Sequence, residues 1–422
     1  MKITILAYGS RGDVQPYVAL ALALEARGHA PRLAAPENFK SFVEGFGLEF
    51  FSITGDTRQL MEMGDITAQI LAGHNKGFFD SVSKVMRPIQ QQMEDDMRAA
   101  CMGADLVLSS PVTQFIAESA ADAAGAKFAE SFLAPQAPSS QFASLGLPWG
   151  SLGLGLLNRA SHAAFEAAWW SLSKNSVSGA RKRWGLPALH ANPAPAFRRR
   201  GGLALFGFSP EVFPRPSDWP DSHVVSGAWQ LPAGTAGSGS GDEQDTGFVS
   251  WLEEGSPPIY FGFGSMPVPD HLGFLEMAAE LCEEMGMRAL IGAGWNDIDM
   301  KACDLPDNLA IVEQADHAWL FPQCAAIVHH GGAGTTHAGL AAGVPNLVCP
   351  FFADQPLWAR QVRRLGVGGS LNFQDMSYER LKRALGNILD EPVAARAAEL
   401  GSRMGAEEGT RLACEALERY MT

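Results

Sequence analysis

Basic side chains are the scarce charge in this 422-residue chain: 32 Lys and Arg stand against 46 Asp and Glu, a formal net charge of −14. Phosphate-backbone binding needs clustered Lys and Arg, so this balance argues against nucleic acid as a partner and disfavours docking on acidic lipid. The six cysteines, at 101, 282, 303, 324, 349 and 414, show no paired spacing and no CxxC. Neither a disulfide framework nor a zinc site is indicated. No run reaches the roughly 18 consecutive apolar residues of a membrane span. The opening "MKITILAYGSRGD" holds one Lys and a short strand-like run, too little for the apolar core of a signal peptide. The expectation is a cytoplasmic protein without integral membrane association, with peripheral contact left open.

What the chain does have is core-forming material, 46% apolar residues, over a length that suggests two domains. Residues 1–53 read as βαβαβ. "ITILA" is a buried strand, "GSRGD" a glycine turn and "VQPYVALALALEARGH" a helix; "PRLAA" and "LEFFSI" are further strands. Strands alternating with helices of this length imply parallel, doubly covered sheets. Between Pro135 and Trp184 charge thins out among small, apolar and aromatic residues. That stretch reads either as two packed helices joined by a loop or as an apolar wall for a hydrophobic ligand. The Gly-, Ser- and acid-rich segment 234–247 is read as a linker. It separates residues 1–233 from a second strand–helix alternation over 248–405. The last helix is interrupted near Gly405, and the chain from about 406 to 422 is expected to pack back on the first domain.

The chemistry concentrates at glycine turns that follow strands. "AAIV" is a strand, "HHGGAG" lies past its carboxyl end, and "TTHAGLAAG" opens a helix. Backbone N–H groups in such a turn approach an anion closely, and the helix N-terminus adds positive potential. With His330 and Thr335 alongside, the turn suits a diphosphate without the Lys of a P-loop. Downstream, Asp354 and Gln355 in "PFFADQPLWA" offer a carboxylate and an amide that match vicinal sugar hydroxyls. For each turn the plain alternatives are tight strand–helix packing and an N-capping Asp. Asp13, in "SRGDVQP", reads equally as an N-cap of a helix starting at Val14. A D-x-D, Asp297 and Asp299, reads as a solvated loop, and His29 and His337 as structural.

"VHHGGAGTTHAGLAAGVPNLVCPFFADQPLWA" resembles the nucleotide-sugar signature of the GT-B glycosyltransferases of the UDP-glycosyltransferase superfamily. "GSRGDVQPYVALALALEARGH" resembles the N-terminal signature of the branch that contains sterol glucosyltransferases and the glycosyltransferases of glycopeptide antibiotics. The resemblance spans nearly the whole chain. It implies an α/β GT-B fold, two Rossmann-like domains facing across a cleft, the first for the acceptor and the second for the donor. It places His330, Gly331, Gly332, Gly334 and Thr335 at the donor diphosphate, Ser265 opposite them, and Asp354 and Gln355 at the sugar. Val312, Glu313 and Gln314 fall at the nucleobase segment, with Trp295 near the nucleotide. The stacking Trp of many plant members is replaced by Val312, and their ribose-binding Glu by Ala338.

The resemblance further implies Asp13 as the base that takes the acceptor proton. One carboxylate without a partner nucleophile implies inversion. No cofactor or metal is implied. The partners are a nucleotide sugar, UDP-glucose in this reading, and a hydrophobic small molecule such as a sterol, flavonoid, polyketide or lipid. His74, Phe132 and Trp149 are candidates to line the acceptor. The alternatives are a dTDP-deoxysugar-dependent antibiotic glycosyltransferase, an epimerase or hydrolase on the same fold, and a non-catalytic helper of another transferase.

Overall fold

The computed structural model describes residues 1–145, 147, 150–232, 234, 246–296, 306–313 and 316–422. Trp149, Gln314, the pair Asp297 and Asp299, and most of the linker segment lie outside the described residues.

Two compact units result. The first comprises Met1–Thr57, Val82–Gln230 and Glu408–Thr422, and the second Arg58–Ser81 and Leu231–Glu407. The first holds seven strands: β1 (Lys2–Leu6), β2 (Ala30–Pro36), β3 (Glu49–Ile53), β4 (Leu106–Ser109), β5 (Lys127–Phe132), β6 (Ala204–Phe206) and β7 (His223–Val225). They pair in parallel in the order β3-β2-β1-β4-β5-β6-β7. The second holds β8 (Ile259–Gly262), β9 (Ala289–Gly292), β10 (Leu309–Val312), β11 (Ala326–His329), β12 (Asn346–Val348) and β13 (Gly368–Ser370). These are parallel too, in the order β10-β9-β8-β11-β12-β13. Both orders are Rossmann-like: they reverse once, between β1 and β4 and between β8 and β11. Ligands of such sheets bind beyond the carboxyl ends of the strands at that reversal.

The central strands are apolar on both sides because helices cover both faces. Leu6, Val107 and Phe128 share one cluster with Ala117, Ala120 and Phe197. In the second unit Tyr260, Leu290 and Ile327 pack with Leu320 and Phe321. The helix Gly409–Met421 is a member of the first unit and lies on the helix Arg11–Ala26. Arg27 and His29 both bond Glu418, and the Arg27 hydrogen bonds hold that carboxyl down to about 2. Tyr420 donates its hydroxyl to the Phe128 carbonyl at 3.0 Å.

Three expectations change. The stretch 135–184 forms irregular chain followed by one helix, Gly155–Arg183, rather than a helix pair. Its first half buries only Asn158 and His162 and leaves apolar side chains exposed, Leu156 at 80% among them. Arg58–Ser81 groups with the second unit although the chain leaves and re-enters the first around it. The strands β6 and β7, three residues each, have no counterpart in the sequence reading.

Glu130 is a charge-capable group inside the first unit, 3% exposed, paired across the sheet with Ser109 and accepting from Gln114 Nε2 at 2.6 Å. Burial pushes its carboxyl up to about 7, against the lowering effects of Gln114 and Arg198. The folded chain therefore keeps a proton that the unfolded chain loses near its ordinary pKa of about 4.3, so stability falls as pH rises from there to about 7. Gln at this position keeps the acceptor for Gln114 and cannot ionise. Glu130→Gln is expected to melt with the wild type at pH 4.5 and several °C above it at pH 8, on the order of 3 kcal/mol. Melting curves across that range check it; equal melting temperatures at pH 8 would contradict it.

Candidate active site

In the second unit four loops leave the carboxyl ends of β8, β9, β11 and β12. After β8 the chain turns at Gly264 (φ +60°) into Ser265. After β9 it turns at Gly294 (φ +64°), where a Cβ would overlap the Gly264 carbonyl. Trp295 N–H donates to that same carbonyl at 3.0 Å. Asn296 completes the tie, its Nδ2 donating to Met266 O at 3.3 Å and its Oδ1 accepting from Val268 N at 3.1 Å. The structure thus brings Ser265 and Trp295 to adjoining loops, both half-buried.

The turn after β11 is built on two histidines with different tasks. His329 is fully buried; its Nδ1 accepts from Gly331 N at 3.1 Å, which leaves the proton on Nε2, bonded to Asn346 Oδ1 at 2.9 Å. Asn346 Nδ2 donates to the Val344 carbonyl at 2.7 Å. Burial drives His329 down to about 3, so it is a neutral fixture of the turn. His330 projects from the turn with its ring between two glycines. A Cβ on Gly332 would come within 2.5 Å of Nε2, and one on Gly264 within 3.1 Å of Cε1. The residue is half-buried, but its Nδ1 has no solvent access and no hydrogen-bond partner among the described residues. Burial lowers its pKa to about 4, so the ring is neutral near pH 7.

Gly332 then caps the helix Ala333–Ala341. The N–H groups of Ala333, Gly334 and Thr335 stand in its first turn, where no intrahelical acceptor exists. Of the two threonines, Thr336 is buried and bonds back to the Gly332 carbonyl at 2.9 Å. Thr335 is half-buried. His337 is buried, its Nδ1 within 2.7 Å of the Ala333 carbonyl and its ring edge-on to Trp358. Gly331 sits at φ +91° with Val348 Cγ1 at 2.5 Å from where a Cβ would be, so this turn admits no side chain.

The turn after β12 carries a strained residue. Ala353 has φ +58°, the one non-glycine positive φ among the described residues, and such strain gathers at functional sites. Asp354 follows, half-buried, its Oδ2 accepting from Trp358 Nε1 at 2.8 Å; burial raises its pKa. Gln355 departs from the sequence reading. It is 5% exposed, and its Oε1 accepts from both Phe351 N (2.8 Å) and Phe352 N (3.2 Å), while Nε2 lies 3.5 Å from Met266 Sδ. Its amide oxygen is committed to the turn.

The nucleobase candidates separate. The Val312 carbonyl accepts from Ala293 N at 2.9 Å and its side chain packs on the Tyr260–Phe321 cluster, while Glu313 is exposed.

In the first unit the turn after β1 passes through Gly9 (φ +148°), where a Cβ would overlap the Asp13 carboxylate. The helix begins at Arg11, not Val14. Ser10 is its N-cap and Asp13 its third residue, forming a capping box. Asp13 Oδ2 accepts from Ser10 N at 2.8 Å and Ser10 Oγ at 3.0 Å. One turn on, Tyr17 is fully buried and accepts from Ser131 Oγ at 3.0 Å. Burial pushes the Tyr17 phenol above its usual range, and the Asp13 charge adds to that. Ser10 was missed in the sequence reading; the S-x-x-D spacing was the available signal. So were His329 and Asn346, which no local pattern marks.

Of the acceptor candidates that are described, one belongs to each unit. Phe132 is buried in the first core, stacked on Phe206 at 5.4 Å, because the last residue of β5 faces inward. His74 is exposed and belongs to the second unit.

Comparison with known proteins matches both ends of the chain. Residues 3–116 match the family described as glycosyltransferase family 28 N-terminal domain, and residues 296–411 the family described as erythromycin biosynthesis protein CIII-like, C-terminal domain. A sterol 3-beta-glucosyltransferase of Arabidopsis thaliana is 33% identical over 100% of this chain and 68% of that protein. An uncharacterized glycosyltransferase of Mycobacterium leprae is 34% identical over 99% of this chain and 96% of its own. Among solved structures, the glycosyltransferase of kitacinnamycin superposes with a TM-score of 0.69 at 20% identity, covering 99% of this chain and 98% of that one.

Proposed function

The chain belongs to the GT-B glycosyltransferases of the UDP-glycosyltransferase superfamily, among relatives of the sterol glucosyltransferases, and from that premise we propose that it moves glucose from UDP-glucose to a hydroxyl of a hydrophobic small molecule. The observation that carries the donor side is the His330 ring, held between Gly264 and Gly332 with Nε2 on the Gly332 side, at the head of a helix whose first N–H groups have no intrahelical acceptor. An anion drawn to that helix end can accept a hydrogen bond from Nε2.

In this reading the diphosphate lies on the first turn of the helix Ala333–Ala341, with Thr335 and Ser265 donating hydroxyls. Asp354 accepts from the sugar. Asp13 takes the acceptor proton as the acceptor oxygen forms its bond to the anomeric carbon. The bond from that carbon to the diphosphate breaks at the same time, and its electron pair leaves on UDP. The configuration inverts. The leaving charge is met by fixed N–H donors and the neutral His330, a preorganised field that needs no reorganisation during transfer. No metal is assigned a role. The sterol acceptor of the Arabidopsis relative supports a hydrophobic alcohol here. The described cysteines are all unpaired and buried, which suits a reducing cytoplasm.

The test is mass spectrometry of products after incubation with UDP-glucose, in EDTA, against a panel of sterols, flavonoids and polyketide alcohols. A product heavier by one hexosyl unit is expected. UDP-glucose binding without any product across the panel would overturn the acceptor class, and transfer from dTDP-sugars alone would overturn the donor.

A further inference from the structure

The segment Arg58–Ser81 leaves the first half of the chain between β3 and β4, yet its contacts lie in the second unit, on the turn that bears Asp354. Asn75 Oδ1 accepts from the Ala353 N–H at 3.1 Å. The Phe78 ring meets the Phe352 ring at 4.8 Å between centroids. Gly73, at φ +66°, lets the backbone pass so close that a Cβ would stand 3.2 Å from the Phe351 carbonyl. Gln374 Nε2 donates to the Leu71 carbonyl at 3.2 Å, from the second unit's own chain. Three successive residues of one turn, Phe351, Phe352 and Ala353, are thus each touched by this segment.

We propose that Asn75 is a positioning residue for donor-sugar recognition: it holds the left-handed Ala353 and so sets the Asp354 carboxylate against the sugar. The physical case is local. An alanine at φ +58° is held only where its surroundings over-determine it. Gln355 Oε1 fixes the N–H groups of Phe351 and Phe352 from within the turn, and Asn75 fixes the next one, Ala353, from outside it. Without Asn75 the strained residue loses its own hydrogen bond, and Asp354, directly after it, loses its fixed direction. The diphosphate turn takes its hydrogen bonds from His329 and Asn346 and none from Asn75 among the described residues. The sugar and the nucleotide therefore answer to different residues.

The inference rests on the donor reading above, and calorimetric titration of UDP and of UDP-glucose into wild type, Asn75→Ala and Asn75→Asp separates the two. Asn75→Ala is expected to weaken UDP-glucose by about tenfold while UDP stays within about twofold, the size of one lost hydrogen bond acting on the sugar alone. Asn75→Asp keeps an oxygen acceptor for the Ala353 N–H and is expected to restore most of the affinity. A wild type that binds UDP-glucose, with Asn75→Ala unmoved or weakened equally for both ligands, overturns the proposal alone. A wild type that binds no UDP-glucose overturns the donor reading and this proposal with it.

Discussion

Asp13→Asn is expected to lower kcat/KM by about a hundred- to ten-thousand-fold, the usual worth of a general base, with no loss of fold. The choice of Asn follows from the geometry. Asp13 Oδ2 accepts from both Ser10 N and Ser10 Oγ, closing the capping box of the first helix. Asn offers an amide oxygen to the same two donors, so the helix start is kept, whereas Asp13→Ala would also remove about 1 kcal/mol of capping. What Asn lacks is the capacity to take a proton from the acceptor. Gly9, which leaves room for this carboxylate, is expected to be intolerant of substitution for the same reason. Steady-state rates with melting temperatures recorded alongside check the prediction. An Asp13→Asn variant that keeps activity within a few-fold of wild type would reduce Asp13 to a helix cap.

The second large effect is expected at Gly332. A Cβ there would meet His330 Nε2 at 2.5 Å. Gly332→Ala should therefore swing the ring out of its slot and weaken UDP by about ten- to a hundredfold, the cost of one or two polar contacts. If the loss runs through the ring, it should largely vanish in a His330→Ala background, leaving a coupling of about 1 kcal/mol or more in the double-mutant cycle. Additive losses would mean that Gly332 acts through backbone approach alone. Calorimetric UDP affinities for the four proteins decide it.

The parts of this site that the sequence discloses are those in which a local pattern and the physics coincide. A strand that ends in His-His-Gly-Gly and restarts as a helix can hardly be anything but a tight turn, and His330, Gly331 and Gly332 stand where that pattern puts them. Asp13 was legible as a residue at a helix start, but its place in the capping box depended on recognising Ser10 three residues before it. The part Gln355 plays inside its own turn was hidden because an amide after an Asp looks free at both its atoms. In the folded turn the N–H groups of Phe351 and Phe352 need an acceptor, and Gln355 Oε1 is within reach of both. The attachment of Arg58–Ser81 to the second unit was illegible for a different reason. Its decisive bond, Asn75 to Ala353, joins residues 278 positions apart, and neither partner carries a local signature. The helix Gly155–Arg183 has alanines and aromatics all around it, so no period distinguished one long helix from two shorter ones.

The central claim, direct displacement by an acceptor oxygen that Asp13 deprotonates, is tested most directly by the anomeric configuration of the product. Proton NMR of the glucoside formed from α-linked UDP-glucose is predicted to show a β-linkage, from a single inversion at the anomeric carbon. An α-glucoside would mean two displacements or a shielded face, and the single-base account of this site would be wrong.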